Sequence, residues 1–276
     1  TVYIDSDALQ YNLNRVKQLA PHSKIVSMVK ANAYGHGVKD CLAALDATDA
    51  FGVACLEEAL EIRQLGYIQP ITLIEGVFSE DEMQQVIEHK LEWLIRHQHA
   101  YNALNLKVWV KLNSGMNRLG FKVTEIIDVI QRLKAEGFSC VLAMHFANAD
   151  ADHPLNEQQK QQFLHVKQAC DPILASCCNS AAIYKYPELH FDFVRPGIML
   201  YGASPFADQN VHELDLKPVM TLSAEIIALN QIQQGEYVGY VSSYTASCTS
   251  NIAIVSIGYG DGYPRTYVKP NFVAIN

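Results

Sequence analysis

The chain has 276 residues, a formal net charge of −8, 49% hydrophobic residues and 18% charged residues. This length and composition fit one large globular domain or two smaller ones better than a disordered or fibrous protein. The acidic balance argues against a nucleic-acid partner, and no apolar run approaches the ~18 residues that a membrane-spanning helix needs.

Short apolar runs rich in β-branched residues recur along the first part of the chain and predict strands. The eight predicted strands cover residues 25–30, 51–55, 71–74, 91–95, 107–113, 140–146, 174–180 and 191–197. Because these runs are apolar throughout rather than alternating, we expect the strands to be buried on both faces of a parallel sheet. Helical periodicity separates most of them. The predicted helices cover residues 79–90, 123–136 and 156–169, with shorter stretches near 96–106 and 181–190.

Eight strands that alternate with crossover segments predict an α/β fold, a (β/α)8 TIM-type barrel of about 200 residues. A doubly wound open sheet is the main alternative. A glycine-rich turn directly after the first strand would favour that alternative, and the segment 29–36 is not such a turn.

The pattern changes after about residue 205. Residues 207–217 form a polar stretch, and from Pro218 the sequence predicts strands without intervening helices at 220–229, 237–240 and 252–258. This is the pattern of an all-β domain. We therefore expect a barrel domain over 1–216, followed by the start of a C-terminal mainly-β domain over 217–276. The chain stops in an apparent strand at 273–276, as expected of a fragment rather than of a finished domain.

The seven cysteines cannot all pair within one chain, and no CxxC motif occurs. Several lie inside apolar runs, as Cys55 does, so we expect buried thiols in a reducing compartment. The first residues lack the charged and then apolar pattern of a secretory signal. These features predict a cytoplasmic protein.

In a barrel, functional residues lie at the carboxyl ends of the strands and in the loops that follow. This rule selects Lys30, Arg118, His145, the pair Asn179-Ser180 and Arg195. Lys30 ends an apolar strand, where a partly desolvated lysine can serve as a base or as a Schiff-base nucleophile. The alternative is a lysine that merely extends from a strand end into solvent. For Arg195 the alternative is a buried ion pair with Asp192.

Gly197 and Ile198 follow the eighth strand, where barrels commonly build a phosphate site from backbone N–H groups. Ser180 follows the seventh strand and could add a hydroxyl donor. A Schiff-base lysine and a phosphate site in one barrel would suit pyridoxal phosphate, which needs both. No metal site is predicted, because His145 and the acidic residues and histidine of 150–153 have the irregular spacing of a solvated loop.

Six motifs follow one another along the chain. The first is Val29-Lys-Ala-Asn-Ala-Tyr-Gly-His-Gly37, and the others lie at 111–120, 144–150, 179–181, 195–202 and 257–263. In residue content and in order they resemble the motifs of alanine racemases. The resemblance spans residues 4 to about 265, and it implies a barrel enzyme that depends on pyridoxal phosphate.

The resemblance implies roles for the residues that match. Lys30 would bind pyridoxal phosphate covalently and then act as the base for one enantiomer of the substrate. Tyr259 would be the acid/base on the opposite face, donated across a dimer interface to the partner's barrel. Arg195 would face the pyridine nitrogen and donate a hydrogen bond to it without transferring a proton, because arginine stays protonated.

The remaining matches concern the oxygens of the cofactor and of the substrate. Tyr34, Ser180, Gly197 and Ile198 would bind the phosphate. Arg118 would hold the cofactor's phenolate and help to place the substrate carboxylate, and His145 would support Tyr259 and Arg195 by hydrogen bonding. Lys111 matches a lysine that is carbamylated in some family members, where its negative charge orients the arginine that corresponds to Arg118.

By this resemblance we expect a cytoplasmic homodimer that interconverts L- and D-alanine and supplies D-alanine for peptidoglycan. One alternative is a racemase of similar build for another small amino acid, such as serine. Alternatives from other classes are a barrel that carries pyridoxal phosphate without turnover, and a binding protein unrelated to the cofactor. Family members carry a Met-Asp segment of the substrate pocket and a further phosphate-binding tyrosine beyond the point where this chain stops. We therefore expect a polypeptide that ends at Asn276 to be poorly active.

Overall fold

The computed structural model describes residues 1–95 and 107–264. The chain divides into two compact units: the larger is Ile4–Met220, and the smaller combines Thr1–Tyr3 with Thr221–Asn276. The short helical stretch predicted near 96–106 and the strand end predicted at 273–276 lie outside the described residues.

The larger unit is built on an eight-stranded sheet. Its strands are β2 (Lys24–Met28), β3 (Ala50–Val53), β4 (Ile71–Leu73), β5 (Glu92–Ile95), β6 (Lys107–Lys111), β7 (Ser139–Ala143), β8 (Leu174–Ser176) and β9 (Phe193–Val194). All neighbouring pairs are parallel, and the order is β8-β7-β6-β5-β4-β3-β2-β9.

The two end strands of this sheet also meet. The Ser176 hydroxyl of β8 donates to the Phe193 carbonyl of β9 over 2.9 Å, and Arg195 N donates to the Cys178 carbonyl over 2.9 Å. The sheet therefore curves into a nearly closed barrel. This confirms the predicted barrel and excludes the doubly wound alternative, in which the outer strands would stay apart.

Helices follow most of the strands. They are α1 (Ser6–Leu19), the single turn α2 (Lys30–Tyr34), α3 (Val38–Cys41), α4 (Leu56–Gln64), α5 (Glu80–Glu88), α6 (Val123–Ala135), α7 (Pro154–Ala169) and α8 (Ser180–Lys185). Short 3-10 turns lie at Ala43–Leu45, Pro187–Leu189 and Ile198–Tyr201. The predicted helices at 79–90, 123–136 and 156–169 are thus confirmed within a few residues at each end. Across the described ranges, no helix is long and apolar enough to cross a bilayer.

The barrel has two apolar layers. The interior layer consists of Val26, Met28, Ala50, Leu94, Trp109, Val141, Ala143 and Phe193, and a larger cluster fills the space between strands and helices. At the amino end of the strands, the carboxylate of Glu92 accepts hydrogen bonds from Trp109 Nε1 over 2.7 Å and from Lys107 Nζ over 2.9 Å. Apolar side chains fill the barrel interior, and the carboxylate at the amino end already has its hydrogen-bond partners. The carboxyl ends of the strands are therefore left to form the site.

Among the residues described up to 264, the smaller unit contains strands and short 3-10 turns at Tyr240–Ser242 and Tyr259–Asp261. Its strands are β1 (Val2–Ile4), β10 (Met220–Leu222), β11 (Ile226–Ile232), β12 (Tyr237–Val238), β13 (Tyr244–Thr245) and β14 (Ser250–Val255). β11 pairs antiparallel with β14, β12 with β13, and β1 pairs with β10. The mainly-β prediction is confirmed. The single strand predicted over 220–229 is wrong, because the chain leaves the extended ladder at 223–225.

Candidate functional site

A cavity of about 380 Å³ opens at the carboxyl ends of the barrel strands. Nine of the ten residues that the sequence predicts for the site line it. They are Lys30, Tyr34, Lys111, Arg118, His145, Ser180, Arg195, Gly197 and Ile198. The tenth, Tyr259, lies in the smaller unit, where its side chain is exposed. Residues from five different strand ends thus converge on one space, as the barrel rule predicts.

Lys30 and Tyr34 reach this cavity from the single turn α2, which directly follows β2. The four residues Ala31–Tyr34 have φ angles between 52° and 54°, so the turn is left-handed although it contains no glycine. Each such residue costs about 1–2 kcal/mol relative to a right-handed turn. Strain of this kind persists only where the surrounding structure enforces it, and it is concentrated at functional sites.

The surroundings of the α2 turn supply that enforcement. Ala33 is fully buried, and its N–H donates to the Val29 carbonyl over 2.8 Å. The Asn32 side chain accepts from Val38 N over 2.8 Å. The Tyr34 ring stacks on Tyr201, with 5.0 Å between the ring centroids. Lys30 and Tyr34 are therefore held on a fixed scaffold.

A small polar cradle faces Tyr34. The Ser180 hydroxyl accepts from Gly197 N over 2.9 Å and from Met199 N over 3.4 Å. A Cβ atom on Gly197 would lie 3.0 Å from Tyr34 Cζ and would overlap the Tyr34 hydroxyl. Glycine at position 197 therefore leaves room for the Tyr34 hydroxyl beside the backbone of 197–199. The cradle, with two hydroxyls and backbone N–H groups, fits a phosphate group.

Cationic side chains outnumber carboxylates in the cavity lining. The cations are Lys30, Lys111, Arg118 and Arg195, and the carboxylates are Glu75 and Asp150. Burial lowers the pKa of Lys111 from 10.5 to about 8, with Arg118 and Arg195 adding repulsion. A small molecule bound in this cavity is therefore expected to carry negative charge.

His145 stands among these cations and is uncharged at neutral pH. Burial lowers its pKa to about 3, and the positive charges of Arg195 and Lys111 act in the same direction. Its Nε2 lies 3.4 Å from the Asn179 side-chain nitrogen. The predicted hydrogen bonds from His145 to Tyr259 and Arg195 are not among those that the described residues make, and they stay a prediction for the assembled site.

Arg195 is buried, and its guanidinium donates hydrogen bonds to two buried neighbours. Its guanidinium bonds to the Ser176 hydroxyl and to the Met144 carbonyl over 2.5 Å. Burial lowers its pKa, yet arginine remains charged at neutral pH. Among the described residues it makes no ion pair with Asp192, whose carboxylate accepts from Ala175 N over 2.8 Å instead. The ion-pair alternative for Arg195 is therefore wrong.

Two polar residues that hold the site together were missed by the sequence reasoning. Ser176 accepts the bond from Arg195, and Gln159 is fully buried on α7. The Gln159 amide accepts from Ala147 N and donates to the His145 carbonyl and to the Ser114 hydroxyl, each over 3.0 Å. A glutamine on the apolar face of a helix was the available signal, because a buried amide needs partners.

The barrel, its cationic cavity and the lysine after its first barrel strand define a (β/α)8-barrel protein whose cavity suits a small anionic ligand. The family model "Alanine racemase, N-terminal domain" matches residues 4–205, and "Alanine racemase, C-terminal domain" matches residues 219–276. The chain belongs to the alanine racemase family. It is an isomerase that interconverts L- and D-alanine.

Individual relatives agree with this assignment. An alanine racemase from Psychrobacter sp. (strain PRwf-1) is 47% identical over 292 residues, which cover 100% of this chain and 78% of the relative. The structure of alanine racemase from Acinetobacter baumannii matches with a TM-score of 0.97 and 76% identity, covering 100% of this chain and 80% of that one. A Bartonella henselae alanine racemase with covalently bound pyridoxal phosphate matches with a TM-score of 0.83 and 29% identity, covering 96% and 77%.

Proposed function

We propose that the cavity binds pyridoxal phosphate, with Lys30 as the residue that holds it covalently. The observation that carries this proposal is the convergence of Lys30 with the cradle of Tyr34, Ser180 and Gly197 in one cationic cavity. The Bartonella henselae relative with covalently bound pyridoxal phosphate supports it. When bound, the cofactor withdraws electrons from an attached amino acid and so acidifies its Cα–H bond.

The phosphate would be held by the hydroxyls of Tyr34 and Ser180 and by the backbone N–H groups of Gly197 and Ile198. Arg195 would donate to the pyridine nitrogen. Its bonds to Ser176 and Met144 orient the guanidinium. Because arginine stays protonated, it would donate this hydrogen bond without transferring the proton. Arg118 would donate hydrogen bonds to the cofactor's phenolate oxygen and to the substrate carboxylate, and neutral His145 would support Tyr259 and Arg195 by hydrogen bonding.

Racemisation removes a proton from one face of Cα and returns one to the other, so two acid/base groups must stand on opposite sides. We assign Lys30 Nζ to one face and the Tyr259 hydroxyl to the other. Tyr259 is 77% exposed, and an exposed phenol is available to a second copy of the chain. The proposed assembly is therefore a homodimer in which each copy supplies Tyr259 to the partner's barrel.

Lys111 is proposed to carry a carbamate. The reaction joins its neutral amine to carbon dioxide and releases one proton, so it needs the unprotonated form. With a pKa of about 8, roughly a tenth of the Lys111 side chains are neutral at pH 7. The resulting negative charge would face Arg118 and reduce the cation excess of the cavity.

The wider assignments are also proposals. The domains are placed at 1–216 and 217–276, which the matched ranges and the two compact units support. We place the enzyme in the cytoplasm, where it would supply D-alanine for peptidoglycan. The relatives named above support alanine, and no finding favours serine or a carrier without turnover.

The test compares the purified protein with Lys30→Ala and with the control Lys39→Ala, whose lysine side chain is 69% exposed. Lys30→Ala is expected to lose the visible absorbance of the lysine-bound cofactor, whereas Lys39→Ala keeps it. Exchange of the Cα proton of L- and D-alanine in heavy water should require Lys30 for one enantiomer and Tyr259 for the other. Unchanged absorbance in Lys30→Ala would refute the assignment.

A further inference from the structure

The left-handed turn that carries Lys30 and Tyr34 is tied to a carboxylate that the proposed function leaves unused. Glu58, in the first turn of α4, places Oε1 2.6 Å from the backbone nitrogen of Ala31. Its Oε2 lies 2.8 Å from the backbone nitrogen of Ala54. One carboxylate thus accepts from the residue directly after Lys30 and from the residue directly after β3.

The bond to Ala31 differs from the other hydrogen bonds of the turn. Those bonds connect neighbouring residues of the same segment, as from Ala33 N to the Val29 carbonyl and from Val38 N to Asn32. Within the part of the chain that the structure describes, Glu58 is the carboxylate side chain whose hydrogen bonds join this turn to another strand end. Hydrogen bonds to an ionised acceptor are the stronger kind.

The hydrogen bond from Ala31 N to Glu58 lies where it can orient the backbone of Lys30. The N–H of Ala31 belongs to the peptide group that begins at the Lys30 carbonyl, so its direction sets the orientation of the Lys30 backbone. Because the turn is strained at four successive residues, its geometry depends on contacts from outside. A displacement of Ala31 would move the base of the Lys30 side chain, and small displacements of a reacting group have large effects on rate.

We propose that Glu58 is a positioning residue for Lys30: it fixes the left-handed turn, and through it the direction from which the Lys30 amine approaches the substrate's Cα proton. This inference rests on the proposed function, because it takes Lys30 as one of the two bases. Glu58 itself touches neither substrate nor cofactor and acts through the backbone of Ala31.

A simpler explanation is that Glu58 only favours the helix by its charge near the amino end of α4. Glu57 provides the matched control, because it is the same residue type in the same turn of the same helix. Glu57 is exposed, and no hydrogen bond from the α2 turn reaches it among the described contacts. A helix-end effect would appear in Glu57→Gln and Glu58→Gln alike, whereas a positioning effect would appear only in Glu58→Gln.

The first measurement is hydrogen exchange in the cofactor-loaded protein, followed by mass spectrometry of the peptide that covers residues 29–38. Glu58→Gln keeps the side-chain volume but turns one acceptor into an N–H group that faces a backbone N–H. Its peptide is expected to exchange about tenfold faster than that of the wild type. The peptide of Glu57→Gln should exchange at the wild-type rate.

The second measurement is the Cα-deuterium isotope effect on racemisation, with L- and D-alanine as separate substrates. Glu58→Gln should lower kcat/KM about tenfold. Its isotope effect should rise for the enantiomer whose proton Lys30 removes and stay unchanged for the other. A loss of folded protein lowers both rates without changing either isotope effect. If Glu58→Gln does not fold, Glu58→Asp keeps the charge but is too short to reach both N–H groups, and the same measurements apply.

Two results would overturn the positioning role. One is exchange and isotope effects in Glu58→Gln that match those of Glu57→Gln; the other is an isotope effect that rises equally for both enantiomers. The failure of the proposed function has a different signature. If Lys30→Ala retains the visible absorbance, the assignment of Lys30 fails, while the exchange measurement still reports on the turn. If Lys30→Ala loses the absorbance and Glu58→Gln changes nothing, only the inference about Glu58 fails.

Discussion

Lys111 is expected to destabilise the cofactor-free protein at neutral pH, so that Lys111→Met raises its free energy of unfolding. The side chain is 7% exposed, and burial with neighbouring cations lowers its pKa from 10.5 to about 8. A difference of this size between the unfolded and folded states corresponds to about 3 kcal/mol. Methionine fills a similar volume without the charge.

The pH dependence follows from proton linkage. Between pH 8 and pH 10.5 the unfolded chain holds a proton on Lys111 that the folded chain has released, so stability rises with pH in this window. Below pH 8 both states hold the proton and the full cost is present. The advantage of Lys111→Met is therefore largest at pH 7, and it should shrink by about 2 kcal/mol by pH 9.5.

The assay is urea unfolding at pH 7 and pH 9.5, in buffer free of carbon dioxide, with the cofactor removed. Lys39→Met serves as the control, since Lys39 is exposed and its removal should give no pH-dependent gain. An advantage of Lys111→Met that is equal at both pH values would refute the argument. Added bicarbonate should stabilise the wild type and leave Lys111→Met unchanged if Lys111 forms a carbamate.

Three further substitutions test the site geometry. Gly197→Ala should weaken binding of pyridoxal phosphate by about 10- to 100-fold, measured by equilibrium dialysis, because the new methyl group displaces the Tyr34 hydroxyl; an unchanged affinity would contradict the cradle. Ser176→Ala should lower the free energy of unfolding by about 2 kcal/mol in urea, because buried Arg195 loses an acceptor; an unchanged midpoint would show that this bond is dispensable. Gln159→Leu should lower the free energy of unfolding in urea by about 3 kcal/mol, because three hydrogen bonds are lost. Gln161→Leu changes an exposed residue of the same helix and should lower it little. Equal losses in the two variants would argue against the Gln159 network.

The barrel was predictable because burial on both faces leaves a direct trace in the sequence. Each of the eight apolar runs overlaps one barrel strand. The predictions extend too far at the carboxyl ends, as at 174–180, where the strand is Leu174–Ser176. Cys177 and Cys178, the next two residues, are buried against the core without joining the ladder, so they are apolar for a different reason.

The supporting contacts of the site were not predictable in the same way. Nothing in the composition of Ala31–Tyr34 indicates a left-handed turn, since glycine is absent and the turn is enforced from outside. Glu58, Gln159 and Ser176 bond to residues far away along the chain. Such contacts depend on which strand ends the barrel brings together, and local patterns carry no information about them.

The excess of positive charge in the cavity links the supply of a small molecule to the lifetime of the protein. An anion that binds the folded barrel at 100 times its dissociation constant adds about 2.7 kcal/mol to the free energy of unfolding. Cells degrade the unfolded fraction of a protein continuously, so a change of this size alters abundance several-fold. Starvation for the anionic ligand would then reduce the number of enzyme molecules as well as the share of them that is loaded.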